Sequence, residues 1–343
     1  MNPRRAAYAR ARTIVVDDAV LAAPGPGKVR IDVAYTGICG TDLHIFHGDM
    51  DARVSAPAVL GHEMSGRVAA IGEGVEGHRV GDPVTVMPLS WCGTCPACRA
   101  GHSHICHNLV FLGIDAPGSM QTSWTVPAST LVKLPETLPL DHAALVEPTA
   151  VAIHDVARAG LEPGEYALVV GGGPIGVLIA LVARRNGARV ILVEPDPHRR
   201  ALVAQFDLLV LDPGGKDVAA EVADWSGGAG AAVAFEVSGA AAGVTTAVDA
   251  LATRGRLVQV AIHPHPRPVN LHRFFWRELT LIGARLYERA DFEAAARLLA
   301  DGEIPAAALI SRIEPIERAT DAFSTLETGA GVMKVLIDCG GAR

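Results

Sequence analysis

Long apolar runs, basic runs and cysteines are all scarce in this sequence of 343 residues. No stretch reaches the roughly 20 apolar residues that cross a membrane, and the segment from Met1 to Arg12 lacks the apolar core of a signal peptide. Basic residues never run beyond a pair, as at Arg4 and Arg5, and 30 Lys and Arg against 37 Asp and Glu leave a formal charge of −7. We therefore expect a soluble, cytoplasmic protein that binds neither nucleic acid nor membrane.

The six cysteines are too few for a disulfide scaffold, and four of them crowd into one short segment. They are Cys92, Cys95, Cys98 and Cys106, spaced C-x2-C-x2-C-x7-C. Two-residue gaps let successive sulfurs turn toward one centre, and four thiolates close a zinc tetrahedron without leaving a position for substrate. The spacing predicts a structural zinc loop. The alternatives are plain buried thiols and an iron–sulfur cluster, although ferredoxin runs place their fourth cysteine closer than it is here.

The apolar content of 50% is enough for a folded core, and the length indicates about two domains. From Lys28 to Ala34 apolar and polar residues alternate, and Gly and Pro recur up to about residue 140. This pattern of residues is typical of an irregular domain of short β-strands.

After Pro148, strands that are apolar throughout alternate with helical stretches. The predicted strands are Tyr166–Gly171, Arg189–Glu194, Leu208–Asp212, Ala231–Val237, Arg256–Ile262 and Leu279–Gly283. The predicted helices are Pro174–Asn186, Pro197–Phe206, Asp217–Trp225 and Ala240–Leu251. Fully apolar strands belong in a parallel sheet that is covered on both faces, so this part of the chain is predicted to be a doubly wound α/β domain.

The C-terminal part contains two amphipathic helices, Arg289–Leu299 and Glu317–Leu326, and a final strand, Val332–Ile337. We predict that it returns to the β-rich domain. The predicted organisation is then a β-rich domain over 1–150, an α/β domain over 151–285, and the return to the first domain over 286–343.

A glycine-rich turn joins the first α/β strand to its helix, with Gly171, Gly173 and Gly176 in a G-x-G-x-x-G pattern around Pro174. Such a turn lets the backbone approach a pyrophosphate, which then lies at the N-terminus of the helix. Glu194, at the end of the next strand, is placed to bind the ribose 2′-hydroxyl, and its charge disfavours a 2′-phosphate. The pattern therefore favours NAD over NADP, although Arg199 beside it is a candidate phosphate ligand. The alternative for Glu194 is a cap on the helix that starts at Pro197.

A second candidate metal site is scattered along the chain. Cys39 lies in the run GICGTDLH, His62 and Glu63 follow Gly61, and Glu147 precedes Pro148. A thiolate, an imidazole and one or two carboxylates form the mixed ligand set of a catalytic zinc, which keeps one position open. Each of these residues is weak support when taken alone.

Together these motifs resemble, in order and spacing, the zinc-dependent medium-chain alcohol dehydrogenases, and most closely their polyol (sorbitol), butanediol and threonine dehydrogenase branch. The resemblance covers nearly the whole chain. It implies a GroES-like β-rich catalytic domain and a Rossmann NAD-binding domain. It also implies reversible oxidation of a secondary alcohol, a polyol or vicinal diol, to a ketone with NAD. The alternatives are an L-threonine 3-dehydrogenase-like activity and a non-catalytic homologue that only binds zinc and nucleotide.

The resemblance further implies roles for individual residues. Cys39 and His62 would bind the catalytic zinc, with Glu63 and Glu147 able to exchange as the acidic partner. Thr41 and His44 would relay the proton, although His44 has the alternative of packing under Phe46. Arg199 would contact the adenosine ribose, while Ile175, Ala261, Ile262 and Arg285 would line the nicotinamide end. Candidate substrate-pocket residues are Ile45, Phe46, Phe111, Leu112, Trp124 and Arg285. Relatives of this kind are homodimers or homotetramers, with Leu279–Arg285 as the expected seam.

Overall fold

The computed structural model describes residues 3–263, 265–328 and 331–341, and the chain forms two compact units. The first comprises Met1–Glu147 with Glu288–Arg343, and the second is Pro148–Tyr287. None of the helices within the described ranges is long and apolar enough to cross a membrane.

The first unit begins with short strands that are interrupted by small helices. They are β1 (Arg4–Tyr8), β2 (Ile14–Asp18), β3 (Lys28–Gly37), α1 (Gly40–His47), β4 (Ala58–Val59), β5 (Glu63–Ile71), β6 (Pro83–Val86), β7 (Leu89–Ser90), α2 (Pro96–Arg99), β8 (Val110–Phe111), β9 (Ser123–Pro127), β10 (Leu131–Lys133) and α3 (Leu140–Ala143). Helix α4 (Val146–Ala159) follows.

The second unit alternates strands and helices. They are β11 (Tyr166–Val170), α5 (Pro174–Arg185), β12 (Arg189–Val193), α6 (Pro197–Ala204), β13 (Leu209–Leu211), α7 (Val218–Trp225), β14 (Ala231–Glu236), α8 (Ala241–Ala250), β15 (Leu251–Gln259), α9 (Leu271–Arg277) and β16 (Thr280–Gly283). The chain then re-enters the first unit with α10 (Arg289–Ala300), α11 (Ala306–Leu309), β17 (Ile310–Pro315), α12 (Ala319–Thr328) and β18 (Lys334–Asp338).

The central sheet of the first unit has the order β10-β6-β5-β3-β18-β17, and β9 also pairs with β3. Val29, Ile31 and Val33 of β3 are fully buried, because alternate residues of a strand point to the same face. C-terminal β18 pairs antiparallel with β3, so the last described strand is part of the N-terminal sheet. The core of this unit therefore contains side chains from both ends of the chain.

The sheet of the second unit is parallel throughout, with the order β13-β12-β11-β14-β15-β16. Its inner strands are buried along nearly their whole length, which is why they are apolar throughout rather than alternating. The strand order reverses between β11 and β14. In open α/β sheets, ligands bind outside the carboxyl ends of the strands at such a reversal.

Most predicted elements of the second unit agree with the observed bounds to within about two residues, the accuracy expected at element ends. Strand β15 is the exception, because it starts at Leu251 rather than at the predicted Arg256, and Arg254 within it has a φ of 60°. Helices α1, α4 and α9 were not predicted, and neither were the one-turn helices α2, α3 and α11. The apolar face of α9 is solvent-exposed, with Phe275 76% and Trp276 68% accessible, so its sequence lacks the periodicity of a helix packed on a core.

Candidate metal centres and nucleotide turn

The four clustered cysteines converge on one centre. Their sulfurs all lie within 4.8 Å of one another. Cys106 Sγ is 3.5 Å from Cys92 Sγ and 3.8 Å from Cys95 Sγ. A tetrahedron with zinc–sulfur bonds of about 2.3 Å has edges of about 3.8 Å, so the spacing fits one metal ion. It is too small to enclose several iron atoms, and the iron–sulfur alternative is therefore wrong.

Backbone N–H groups point at these sulfurs. Cys95 N donates to Cys92 Sγ at 3.4 Å, Cys98 N to Cys95 Sγ at 3.5 Å, and Asn108 N to Cys106 Sγ at 3.3 Å. The N–H and hydroxyl of Thr94, followed by the Asn108 amide, lower the pKa of the Cys92 thiol to about 5. Donors of this kind stabilise thiolates, the form in which cysteine binds a metal. These donors favour a metal-binding thiolate over a plain buried thiol at Cys92, whereas burial, with the neighbouring Cys95 and Cys106, raises the pKa of the Cys98 thiol to about 11.

The second group contains Cys39, His62 and Glu63, with one ligand atom of each inside a 4.8 Å span. Cys39 lies between the end of β3 and the start of α1, and His62 immediately precedes β5. The two segments meet because β3 and β5 pair antiparallel, with Gly37 opposite Glu63. A Cβ on Gly37 would lie 2.1 Å from Glu63 Oε2, so only glycine lets this carboxylate approach β3.

Asp42 holds both ligand-bearing segments, and the sequence reasoning gave it no role. It is fully buried; its Oδ2 accepts from Cys39 N at 2.9 Å and its Oδ1 from Gly61 N at 3.4 Å. Its Oδ1 also lies 3.8 Å from His62 Nδ1. Burial opposes protonation of His62, but Asp42, Cys39 and Glu147 together raise the pKa of His62 well above its ordinary value. This concentration of negative charge favours a bound cation.

Lys334 is the second residue that the sequence reasoning missed. Its Nζ donates to both oxygens of Glu63, at 2.8 and 2.7 Å, and to Ile38 O at 3.3 Å. Both side chains are almost completely buried. Burial acts to lower the pKa of Lys334, but the charges of Glu63 and Cys39 outweigh it and the pKa is raised. No local motif marks this lysine, because the adjacency of β18, β3 and β5 brings it to the site.

The other predicted site residues of the first unit lie around this group. Glu147 is buried in the first turn of α4, and its charge raises the pKa of both His62 and Lys334. Thr41 is half-buried in the first turn of α1. His44, two positions before Phe46, is exposed, and its Nδ1 is 3.0 Å from Asp49 Oδ2.

The predicted pocket residues divide into two groups. Phe46 is buried and packs against Phe323, at 5.0 Å between ring centroids. His44 is exposed instead, so the alternative in which His44 packs under Phe46 is wrong. Ile45 and Trp124 also belong to the core rather than to a pocket. Phe111, in contrast, packs edge-on against the His62 ring at 5.1 Å.

In the second unit, the glycine turn has the predicted strand–turn–helix setting. Gly171 has a φ of 116°, which side-chain-bearing residues rarely adopt. A Cβ on Gly176 would lie 1.9 Å from Gly171 O, so the helix packs tightly on the turn. A Cβ on Gly173, the N-cap of α5, would meet no atom within 4 Å. The space in front of the helix N-terminus is therefore open, as a phosphate site requires. Pro174 and Ile175 form the first turn of α5.

Glu194 is buried beside this turn. Its Oε2 accepts from Gly172 N at 2.7 Å and its Oε1 from Asp196 N at 2.8 Å. The cap of α6 is Asp196, which accepts from Arg199 N at 2.8 Å, so the alternative role of Glu194 as that cap is wrong. Arg200 pairs with Asp212 at 2.8 Å. Ala261 and Ile262 follow β15, and Arg285 is exposed just after β16.

Comparison with known proteins identifies the family of both halves of the chain. Residues 25–136 match the alcohol dehydrogenase GroES-like domain, and residues 174–301 match the zinc-binding dehydrogenases. The chain is 50% identical over 317 residues to a 2-dehydro-3-deoxy-L-galactonate 5-dehydrogenase of Pseudoalteromonas atlantica, covering 92% of this chain and 93% of that protein. It is 32% identical to an L-galactonate-5-dehydrogenase of Escherichia coli, covering 88% of each.

The structure of 2R,3R-butanediol dehydrogenase from Bacillus subtilis superimposes with a TM-score of 0.90 at 30% identity, covering 98% of this chain and 99% of that one. Together with the family matches, it confirms the predicted fold class, a GroES-like β-rich domain with a Rossmann domain.

Replacing Lys334 by Met should lower the free energy of unfolding by about 3–5 kcal/mol, because it leaves the buried Glu63 carboxylate without its partner. Urea unfolding followed by circular dichroism would measure this. Lys133→Met is the matched control, since that exposed lysine forms a surface pair with Asp82 and its loss should cost less than about 1 kcal/mol. Equal effects of the two substitutions would contradict the assigned importance of the Glu63–Lys334 pair.

Proposed function

Since this chain belongs to the zinc-dependent medium-chain alcohol dehydrogenases, in their polyol dehydrogenase branch, and is an oxidoreductase of secondary alcohols with NAD, we propose that its substrate is a six-carbon sugar acid oxidised at carbon 5. The observation that carries this proposal is the 50% identity, over 92% of the chain, to a 2-dehydro-3-deoxy-L-galactonate 5-dehydrogenase. The E. coli relative is also named for oxidation of a sugar acid at position 5.

The atoms and charges of the proposed reaction balance with NAD as the only co-reactant. The alcohol carbon gives a hydride to nicotinamide and its hydroxyl gives a proton to the protein, which yields a ketone, NADH and a proton. In a six-carbon acid, the hydroxyl at carbon 5 lies beside the terminal hydroxyl at carbon 6. The reacting end is therefore a vicinal diol, the group predicted from the sequence, and the acid function lies at the far end of the substrate.

In this proposal, Cys39 and His62 hold the catalytic zinc in the first unit, because thiolate and imidazole are preferred zinc ligands. Glu63 or Glu147 would supply the third ligand, and Glu63 already accepts hydrogen bonds from Lys334 on both of its oxygens. When bound, zinc acts as a Lewis acid that lowers the pKa of the substrate hydroxyl.

The protein's own side chains orient this site and move the proton. Asp42 orients the Cys39 and His62 segments through their backbone N–H groups. Thr41 accepts the proton that leaves the alcohol while its own hydroxyl proton moves on toward the ribose of the cofactor, and His44, exposed on the same helix, passes the proton to solvent. Removal of the proton makes the carbon a better hydride donor.

We assign the structural zinc to Cys92, Cys95, Cys98 and Cys106. The same proposal makes Met1–Glu147 with Glu288–Arg343 the catalytic domain and Pro148–Tyr287 the NAD-binding domain. Because both metal sites require reduced thiols, we place the protein in the cytoplasm, where thiols are kept reduced.

The roles that we propose for the NAD-binding residues are based on the geometry of the second unit. The turn from Gly171 through Gly173 and Pro174 to Gly176 receives the pyrophosphate at the open N-terminus of α5. Glu194 selects NAD, because its carboxylate at this turn repels a 2′-phosphate. Arg199 contacts the adenosine ribose, and Ile175, Ala261, Ile262 and Arg285 contact the nicotinamide end.

A panel of substrates tests the proposed reaction. We expect kcat/KM for 2-dehydro-3-deoxy-L-galactonate or L-galactonate to exceed that for sorbitol, 2,3-butanediol and L-threonine by about tenfold or more, which corresponds to about 1.4 kcal/mol of transition-state binding. The measurement is NADH absorbance, repeated with NADP, which should be the poorer acceptor. Preference for L-threonine would favour the threonine dehydrogenase alternative. Absence of turnover with every substrate would favour the non-catalytic one.

Metal analysis tests the two assigned zinc sites. Plasma mass spectrometry of the purified protein should find about two zinc ions per chain, and about one each in the variants Cys39→Ser and Cys95→Ser. Cys39→Ser should also lose activity while keeping its circular dichroism spectrum. Cys339→Ala is the control, because this buried cysteine lies outside both groups and its loss should leave the zinc content unchanged. An unchanged zinc content in Cys39→Ser would exclude the catalytic site as assigned.

We also propose that the protein is a homodimer or homotetramer joined along β16. This strand is at one edge of the parallel sheet, and Leu281 on it is 53% exposed. Phe275 and Trp276 of the preceding α9 are more exposed still. An unpaired edge beside exposed aromatic side chains is a template for pairing with a second copy.

Light scattering after size-exclusion chromatography tests this seam. The wild-type protein should have the mass of a dimer or tetramer, and Leu281→Lys should reduce it because a buried lysine would disrupt the interface. Leu209→Lys is the matched control, since Leu209 is 56% exposed on β13 at the opposite edge of the same sheet. A wild-type monomer, or equal dissociation by both substitutions, would rule out the proposed seam.

A further inference from the structure

Glu236 is a fully buried carboxylate at the end of β14, outside the predicted site residues. Burial of a charged group is costly unless hydrogen bonds compensate for it. Glu236 has such compensation on both oxygens, and its donors come from two different loops. It therefore joins these loops rather than serving only its own strand.

The two carboxylate oxygens bind different loops. Oε1 accepts from the hydroxyl and the N–H of Ser238, the latter at 2.9 Å, and from Gly239 N at 3.1 Å, all in the turn after β14. Oε2 lies 3.1 Å from Gln259 Nε2 and 3.0 Å from His263 Nε2, in the segment at the end of β15. A single side chain thus links the exits of two neighbouring parallel strands.

Arg267 determines which nitrogen of His263 carries the proton. Its Nε–H donates to His263 Nδ1 at 3.3 Å, so Nδ1 must be the acceptor. The ring proton then lies on Nε2 and is donated to Glu236. The chain of donors runs in one direction, from Arg267 through His263 to the carboxylate.

This network lies at the reversal of strand order in the sheet. A Cβ on Gly171, in the glycine turn after β11, would lie 3.0 Å from Ser238 N, so the turn anchored by Glu236 packs directly on the glycine turn. Toward the end of β15, the backbone carbonyl oxygen of Glu236 accepts from Val260 N at 3.1 Å and from Ala261 N at 3.0 Å. Gln259 also donates to Ala261 O at 2.9 Å. Glu236 therefore connects the proposed pyrophosphate site with the segment that carries Ala261 and Ile262.

We propose that Glu236, acting through Ser238 and His263, is a positioning residue that shapes the loop after β15 to receive the nicotinamide half of NAD. The proposal rests on the nucleotide roles assigned above. The proposal assigns the two halves of the cofactor to different buried carboxylates. Glu194 lies at the end of β12, on the adenosine side of the reversal, and Glu236 lies on the other side at the end of β14.

The substitution Glu236→Gln tests this role with almost no change of shape. A carboxylate accepts on both oxygens, whereas an amide accepts on one and donates on the other. With Gln at this position, one of the two loops must face an N–H group where it needs an acceptor. His263→Ala removes the outer member of the network from a partly exposed position, so it is expected to fold even where Glu236→Gln does not.

Isothermal titration calorimetry with NADH and with ADP-ribose, which lacks nicotinamide, distinguishes the halves of the site. For both variants we expect the Kd of NADH to rise about tenfold or more, while the Kd of ADP-ribose stays within about twofold of wild type. The fluorescence of bound NADH should fall in parallel, because it reports the surroundings of the nicotinamide ring. His265→Ala, an exposed histidine in the same segment, is the control and should leave both ligands unaffected.

Each of the other possible results of this titration contradicts a specific part of the proposal. If both ligands weaken equally, Glu236 supports the whole unit rather than the nicotinamide loop. If neither weakens in His263→Ala, the network does not position the cofactor. If the wild-type protein binds neither NADH nor ADP-ribose, the proposed function itself fails, and it does so before any variant is made.

Discussion

The antiparallel pairing of β3 with β5, joined by β18 on the other side of β3, is the interaction on which the candidate metal site depends. It places Cys39 beyond the end of one strand and His62 before the start of the next. It also brings Lys334, from the last described strand, against Glu63. A ligand set that is scattered along the chain becomes a single site because of this register. Slippage by one residue would turn Glu63 to the other face of the sheet.

Buried carboxylates recur at the loops of the mixed metal site and of the nucleotide turn. Asp42 accepts N–H groups from the two segments that carry Cys39 and His62, and Glu194 accepts one N–H from the glycine turn and one from the loop after β12. Glu236 joins the exits of β14 and β15. Each one compensates its burial with hydrogen bonds from loops that have no regular secondary structure of their own. These hydrogen bonds restrain the loops at the ends of the strands, where precise geometry is needed.

The two candidate metal sites differ in the origin of their geometry. The four sulfurs of the cysteine loop come from one short segment and are surrounded by N–H groups of that same segment. The mixed site draws on two strands, a helix and a distant lysine, so it forms only after the sheet has assembled. A closed local site can stabilise its own loop, whereas an open site must be held by its surroundings.

The spacing of residues along the chain was sufficient to predict the cysteine loop, the glycine turn and the parallel sheet, because each depends on near neighbours or on a repeated local pattern. Gly176 is an example, since its role is defined by Gly171 within one turn. The roles of Asp42, Lys334 and Glu236 were not predictable in this way. Each has at least one partner on another strand or loop, Gly61 for Asp42 and His263 for Glu236, and for Lys334 the partner is 271 residues away. Which buried charges compensate one another depends on strand order and register, and these were decided only by the tertiary structure.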